Sequence, residues 1–182
     1  MSRLLELITT APAQTHEVAG ILADAAVVGD VIALTGELGA GKTCFVQGAA
    51  KALGVTDRVT SPSFILRKEY EGRLPLLHLD VYRLESLQEV LDLGFGDALD
   101  NQRVTFVEWG DAMAPLLPTD HLEVELHLPE LDTVGAASAA AAGDWQPEPR
   151  RIVLRSHGPS WTRRLAELEP RLRRWAPQEG DA

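Results

Sequence analysis

An apolar run, Val31-Ile32-Ala33-Leu34-Thr35, leads directly into the octapeptide Gly36-Glu37-Leu38-Gly39-Ala40-Gly41-Lys42-Thr43, and helical spacing resumes at Lys42. A buried strand, a glycine-rich turn and a helix in that order are what a phosphate-binding loop of the G-x-x-x-x-G-K-[ST] pattern requires. Glycines allow successive backbone N–H groups to converge on one concavity, and the N-terminus of the next helix adds partial positive charge, so the segment can cradle a polyphosphate. In such a cradle Lys42 reaches the β- and γ-phosphates, and the Thr43 hydroxyl meets the Mg²⁺ that bridges them. A plain strand-to-helix turn would explain the glycines but would not need a lysine followed by a threonine. Glu37, Leu38, Gly39, Ala40 and Gly41 are therefore expected along a nucleotide together with Lys42 and Thr43.

That loop commits the chain to an α/β fold, and the remaining periodicities agree with one. Leu4 to Ile8 reads as a short edge strand, and Val18, Ile21, Leu22 and Ala25 have helical spacing within Pro12 to Ala26. Asp30 to Thr35 is the first central strand, and the helix from Lys42 to Leu53 ends at Gly54. Phe64 to Tyr70 and Leu74 to Tyr82 read as strands joined by the turn Glu71-Gly72-Arg73, a hairpin. Ser86-Leu87-Gln88-Glu89 has capping-box spacing and predicts a short helix ending near Gly94. Val104 to Glu108 is a further central strand, and His121 to Leu128 alternates as a strand with one buried face should. Arg151 to Arg155 can return as a strand, and Ser160 to Glu169 predicts an amphipathic helix that Pro170 interrupts. The expectation is one P-loop domain over residues 1–182, with a mostly parallel central sheet, a hairpin extension and flanking helices. Between 130 and 149, alanines, glycines and prolines leave little to bury, which suggests a flexible insertion.

A composition of 45 % hydrophobic and 24 % charged residues suits a folded domain and argues against disorder throughout. No apolar run is long enough to span a bilayer, and the first ten residues lack the pattern of a signal peptide, so a cytoplasmic location is expected. The lone cysteine, Cys44, cannot form an intramolecular disulfide, and at a helix start it reads as a packed thiol unless the helix N-terminus activates it. A net charge of −10 argues against a surface that grips nucleic acid through many phosphate contacts. Yet eight of the 17 Lys and Arg residues are arginines between Arg150 and Arg174. This basic C-terminal tail can meet RNA or an acidic partner, or it can be a solvated helix face.

Hydrolysis of a phosphoanhydride needs a held metal and an aligned water, so carboxylates at strand ends are the candidates. Asp80 follows Leu76-Leu77-His78-Leu79, and Glu108 follows Val104-Thr105-Phe106-Val107. Each can face the loop at the carboxyl ends of neighbouring strands. One would bind Mg²⁺ and the other orient water, and the residues alone do not order these roles. His78 and Asp80 share a strand face but lack a third ligand for zinc. Arg83 can neutralise phosphate charge or form a salt bridge, Ser61-Pro62-Ser63-Phe64 can respond to a γ-phosphate or be a plain turn, and Trp109 can be core or a partner-facing anchor.

Gly36 to Thr43, Thr60-Ser61-Pro62-Ser63-Phe64, His78-Leu79-Asp80-Val81-Tyr82-Arg83 and Glu108-Trp109, in that order from about residue 15 to 128, resemble the bacterial TsaE (YjeE) family. The resemblance implies an ATPase of tRNA threonylcarbamoyladenosine biosynthesis that binds ATP and Mg²⁺ and resets a complex of TsaB- and TsaD-like proteins, with tRNA contacted indirectly through them. It further implies that Thr43 and Glu108 bind magnesium, that Asp80 is the catalytic or water-positioning carboxylate, and that Thr15 lies near the nucleotide. Preference for ATP over GTP also rests on the resemblance. Ser63 stands where the family commonly has threonine, which keeps the hydroxyl. Two rival readings fit the same residues, a small-molecule P-loop kinase and a non-catalytic ATP-binding switch.

Overall fold

The computed structural model describes residues 2–62, 67–81, 102–109, 114–128 and 149–177. Its elements are β1 (Leu4–Thr9), α1 (Pro12–Asp24), β2 (Val31–Thr35), α2 (Lys42–Ala52), β3 (Arg67–Tyr70), β4 (Leu76–Asp80), β5 (Val104–Glu108), β6 (His121–His127), β7 (Arg150–His157) and α3 (Gly158–Leu172), closed by a 3₁₀ turn at Arg173–Trp175. The seven strands form one sheet in the order β1-β7-β6-β2-β5-β4-β3. The four central strands, β6, β2, β5 and β4, are parallel, and antiparallel strands flank them on both sides. This is the mostly parallel central sheet with a β3–β4 hairpin extension that the sequence implies. The helix expected from Ser86, the insertion at 130–149 apart from Pro149, and the strand residues Phe64 to Leu66 and Tyr82 lie outside the described residues.

Burial on two faces explains why the central strands read as continuous apolar runs. On one face Ile32, Leu34, Phe106, Leu122, Val124, Ile152 and Leu154 pack with Val18 and Leu22 of α1, Phe45 and Val46 of α2, and Trp161 and Leu165 of α3. On the other, Val31, Leu77, Leu79 and Val107 meet Leu116 and Leu117. β6 buries only alternate residues, Leu122, Val124 and Leu126, as its sequence alternation requires.

The two helices nearest the loop cross closely because small residues meet there. A Cβ built on Gly48 of α2 would lie 2.4 Å from the His16 Cα of α1, and one on Gly20 would lie 3.4 Å from the Ala52 Cβ. Gly48 thus sets how near α1 approaches the helix that follows the glycine-rich loop.

One expectation at the C-terminus is corrected. α3 continues through Pro170 to Leu172. A proline inside a helix costs about 3 kcal/mol, whereas burying the side chains of Leu172 and Trp175 returns roughly 1.5–3 kcal/mol each. Leu172 is 1 % exposed and Trp175 6 %, so packing against the core decides the outcome.

The basic tail finds its acids within the chain. Arg151 pairs with Glu6, Arg155 with Glu123 and Glu125, Arg171 with Asp24, Arg173 with Glu169 and Arg174 with Glu17. These pairs are solvent-facing and add little stability each, but they neutralise the arginines locally. Arg164 differs. Its guanidinium is buried, donates to the Asp30 carboxylate through both terminal nitrogens and to the Ala25 carbonyl at 3.0 Å, and stacks on Trp161. Asp30 in turn accepts from the Val27 N–H at 2.7 Å, so this pair fastens α3 to the turn that feeds β2.

Two substitutions test this packing. Gly48→Ala gains about 1 kcal/mol of helix propensity but drives a methyl into the His16 backbone, a clash worth about 1–3 kcal/mol or more; urea unfolding is expected to show a net loss of stability. Asp30→Ala leaves the Arg164 charge buried and unpaired, and thermal and urea unfolding should register a loss of about 3–5 kcal/mol.

Candidate active site

The parallel register sets the site. Leu34 of β2 is paired with Glu108 of β5, and Glu108 with Asp80 of β4. The carboxyl ends of three adjacent strands therefore arrive at one edge, where the chain leaves β2 for the glycine-rich loop. On β4, Leu77 and Leu79 join the core on the far side of the sheet, which by strand alternation leaves His78 and Asp80 on the α2 side. Asp80 is 2 % exposed and Glu108 4 %; buried carboxylates of this kind require partners.

Gly36 carries φ +129°, and a Cβ there would lie 2.0 Å from the Leu126 carbonyl oxygen of β6. No side chain fits that approach. Gly41, at φ +108°, begins α2 in a backbone conformation that L-residues rarely adopt. The Glu37 carboxylate accepts from the Leu128 N–H at 3.3 Å, tying the loop to the end of β6.

Lys42, only 5 % exposed, donates from Nζ to the carbonyls of Gly36 at 2.7 Å and Glu37 at 2.9 Å, and the ammonium lies 3.7 Å from the centroid of the Trp109 ring. The Thr43 hydroxyl donates to Glu108 Oε1 at 2.6 Å, and the Ser61 hydroxyl donates to Asp80 Oδ2 at 2.7 Å. His78 Nε2 lies 2.8 Å from the same Glu108 oxygen. A cavity of about 310 Å³ is lined by Lys42, Thr43, Ser61, Asp80, Glu108 and Trp109 together with Leu38, Gly39, Gly41 and Cys44.

Thr43 and Glu108 offer a hydroxyl and a carboxylate in contact, with a second carboxylate on the next strand. This hard-oxygen set fits Mg²⁺, which takes one or two protein oxygens and fills its octahedron with water and phosphate. Among the described residues no cluster of three or more His, Cys, Asp and Glu side chains could hold a metal, as zinc would need.

Not every expected residue lies on the cavity wall. Ala40 of the loop is fully buried. Thr15 is buried on α1, its hydroxyl 2.9 Å from that of Thr9, and does not line the cavity. Ser63, Tyr82 and Arg83 lie outside the described residues.

Two features were not legible beforehand. Trp109 is the non-glycine residue with positive φ, +63°, among the described residues, a conformation that costs a bulky side chain about 1–3 kcal/mol. It turns the ring over Lys42, and no local motif announces such a turn. The His78 bond to Glu108 needs the β4–β5 register before it can be seen, since the two residues are diagonal neighbours across strands.

A buried parallel strand running into a glycine-rich loop with Lys42 and Thr43 at the start of α2, and two strand-end carboxylates beside it, define a P-loop protein of the nucleotide-binding α/β class. The sequence model of the family described as "Threonylcarbamoyl adenosine biosynthesis protein TsaE" matches residues 9–133, and the chain belongs to the TsaE family. The TsaE protein of Bacillus subtilis is 44 % identical over 117 residues, covering 64 % of this chain and 73 % of that protein. That of Streptomyces coelicolor is 34 % identical over 137 residues, 73 % of this chain and 84 % of the relative. The crystal structure of Bacillus subtilis YdiB superposes with a TM-score of 0.70 at 32 % identity, covering 94 % of this chain and 97 % of the other.

Cys44 offers a probe of the cavity. Burial pushes its thiol up from the ordinary value, opposed in smaller part by the charge of Arg150, the direction of a packed thiol. Alkylation by iodoacetamide at neutral pH is expected to be slower than for an unstructured cysteine peptide. It should slow further when a nucleotide fills the cavity that Cys44 lines.

Proposed function

We propose that this chain is a Mg²⁺-dependent ATPase that serves threonylcarbamoyladenosine modification of tRNA in the cytoplasm, working on a complex of TsaB- and TsaD-like proteins and meeting tRNA through them. The observation that carries the reading is the contact of Thr43 with Glu108 beside Asp80, at the mouth of the glycine-rich loop. The relatives named above supply the pathway, through their description as tRNA threonylcarbamoyladenosine biosynthesis proteins.

In this mechanism the backbone N–H groups of the loop and the N-terminus of α2 bind the phosphates. Lys42 brings a charge already desolvated among carbonyls and the Trp109 ring, which makes its exchange onto phosphate oxygens favourable. Thr43 and Glu108 would hold Mg²⁺, which would supply positive charge to offset the negative charge that develops on the phosphates during transfer. Asp80, kept in place by the Ser61 hydroxyl, orients the attacking water and takes its proton. Ser61 comes from the loop after α2, so the same hydrogen bond couples that loop to the state of the site.

Phosphate release from Mg-ATP by the purified protein, alone and with TsaB- and TsaD-like partners, tests the reading. Lys42→Ala is expected to lower turnover by about 10²-fold or more. Asp80→Asn should lower turnover by about 10²- to 10⁴-fold while ATP binding is retained. Tight ATP binding with no hydrolysis in any combination would mean a switch instead, and phosphate transferred to a small molecule would mean a kinase.

A further inference from the structure

His78 is fully buried within β4, at a position where its neighbours Leu76, Leu77 and Leu79 are plain core residues. Its Nδ1 has no hydrogen-bond partner among the described residues. An unpaired buried polar atom costs about 1–3 kcal/mol, and a leucine at this position would remove that cost. The imidazole must therefore answer to something other than packing.

What it meets is Glu108. Nε2 lies 2.8 Å from Oε1, the same oxygen that accepts the Thr43 hydroxyl at 2.6 Å. The tautomer follows from the two nitrogens. A lone pair on Nε2 would face the lone pairs of a carboxylate, and the proton on Nδ1 would then be an orphaned donor; with the proton on Nε2, a charge-assisted bond forms and only an acceptor is left unpaired. Among the described residues both hydrogen bonds to this carboxylate fall on Oε1. Oε2 accepts no hydrogen bond among the described residues, so its lone pairs are left for a ligand in the cavity that Glu108 lines, and Thr43, donating its own proton to Oε1, keeps its oxygen lone pairs for the same ligand.

We propose that His78 is a positioning residue: its Nε2–H clamps Oε1 of Glu108, fixes the rotation of the carboxylate against Thr43, and so sets the affinity of the site for Mg²⁺ without touching the ion. The inference rests on the nucleotide-binding reading above, and it goes beyond that reading by assigning the histidine. Hydrogen bonds that orient a metal-binding carboxylate in this way are worth about 10- to 100-fold in metal affinity.

Two measurements test it. Long-range ¹H–¹⁵N correlation on histidine-labelled wild-type protein is expected to show His78 as the Nε2–H tautomer; the Nδ1–H tautomer would overturn the proposal without any variant being made. Mn²⁺ affinity of the ADP-bound protein, read by electron paramagnetic resonance, is expected to fall about 10- to 100-fold in His78→Leu, with metal-free ADP affinity changed less than about twofold, and to recover in His78→Gln, whose amide N–H reaches toward Oε1. Unchanged Mn²⁺ affinity in His78→Leu, or equal loss of metal-free ADP binding, would assign His78 to packing alone. Where His78→Leu does not fold, His78→Gln set against the shorter His78→Asn makes the comparison, and equal Mn²⁺ affinity in those two overturns the proposal. A wild-type protein that binds no nucleotide would instead sink the ATPase reading, and the tautomer measurement would still decide whether the histidine clamps Glu108.

Discussion

Hydrogen bonding from β2 to β5 and from β5 to β4 places Leu34, Glu108 and Asp80 side by side, and most of the site follows from that register. Slipping β5 by one residue would turn Glu108 to the opposite face and bring Val107 to the loop. The register is held by burial on both faces, because Phe106 faces the helices while Val107 faces Leu77 and Leu79. Chemistry at the strand ends is thus secured by packing in the strand interiors. The same logic explains Gly36: the loop leaves β2 so close to the Leu126 carbonyl that a side chain would push β2 and β6 apart.

The site is polar and buried, which makes partner choice decisive. Asp80 and Glu108 are each engaged by a hydroxyl from a loop or helix that faces the phosphate cradle, Ser61 and Thr43. Each hydroxyl can both accept and donate, so it can keep its carboxylate and offer lone pairs elsewhere. A lysine or arginine in those places would pin the carboxylates and offer nothing to a cation. Lys42 donates to the Gly36 and Glu37 carbonyls and lies against the Trp109 ring.

How much of this was legible in the sequence depended on whether a signal was local. The strand before the loop, the helix after it and the alternation of β6 are each carried by contiguous residues, and each was found with its boundaries nearly in place. Asp80 and Glu108 were legible as carboxylates at the ends of neighbouring strands but not in their register, since no sequence pattern fixes which residues of two parallel strands lie side by side. Pro170 misled because a local rule about prolines met a non-local gain, the burial of Leu172 and Trp175. The arginine-rich end misled more gently. Most of its acids lie far off in the chain, on β1, α1 and β6, so composition by segment showed an asymmetry that folding largely cancels.

Arg164 shows why that cancellation is not all of one kind. The exposed pairs could exchange partners with water at little cost, whereas Arg164 and Asp30 are each 8 % exposed and rely on one another, on the Ala25 carbonyl and Trp161 ring for Arg164, and on the Val27 N–H for Asp30. Asp30 sits immediately before β2, and its backbone carbonyl also accepts from Thr105 of β5 at 2.9 Å. The C-terminal helix is thereby fastened to the start of the strand whose other end carries the phosphate cradle. The match to the family model ends at residue 133, so α3 lies beyond it, yet through this pair α3 braces the β2–β5 pairing on which Thr43, Glu108 and Asp80 depend.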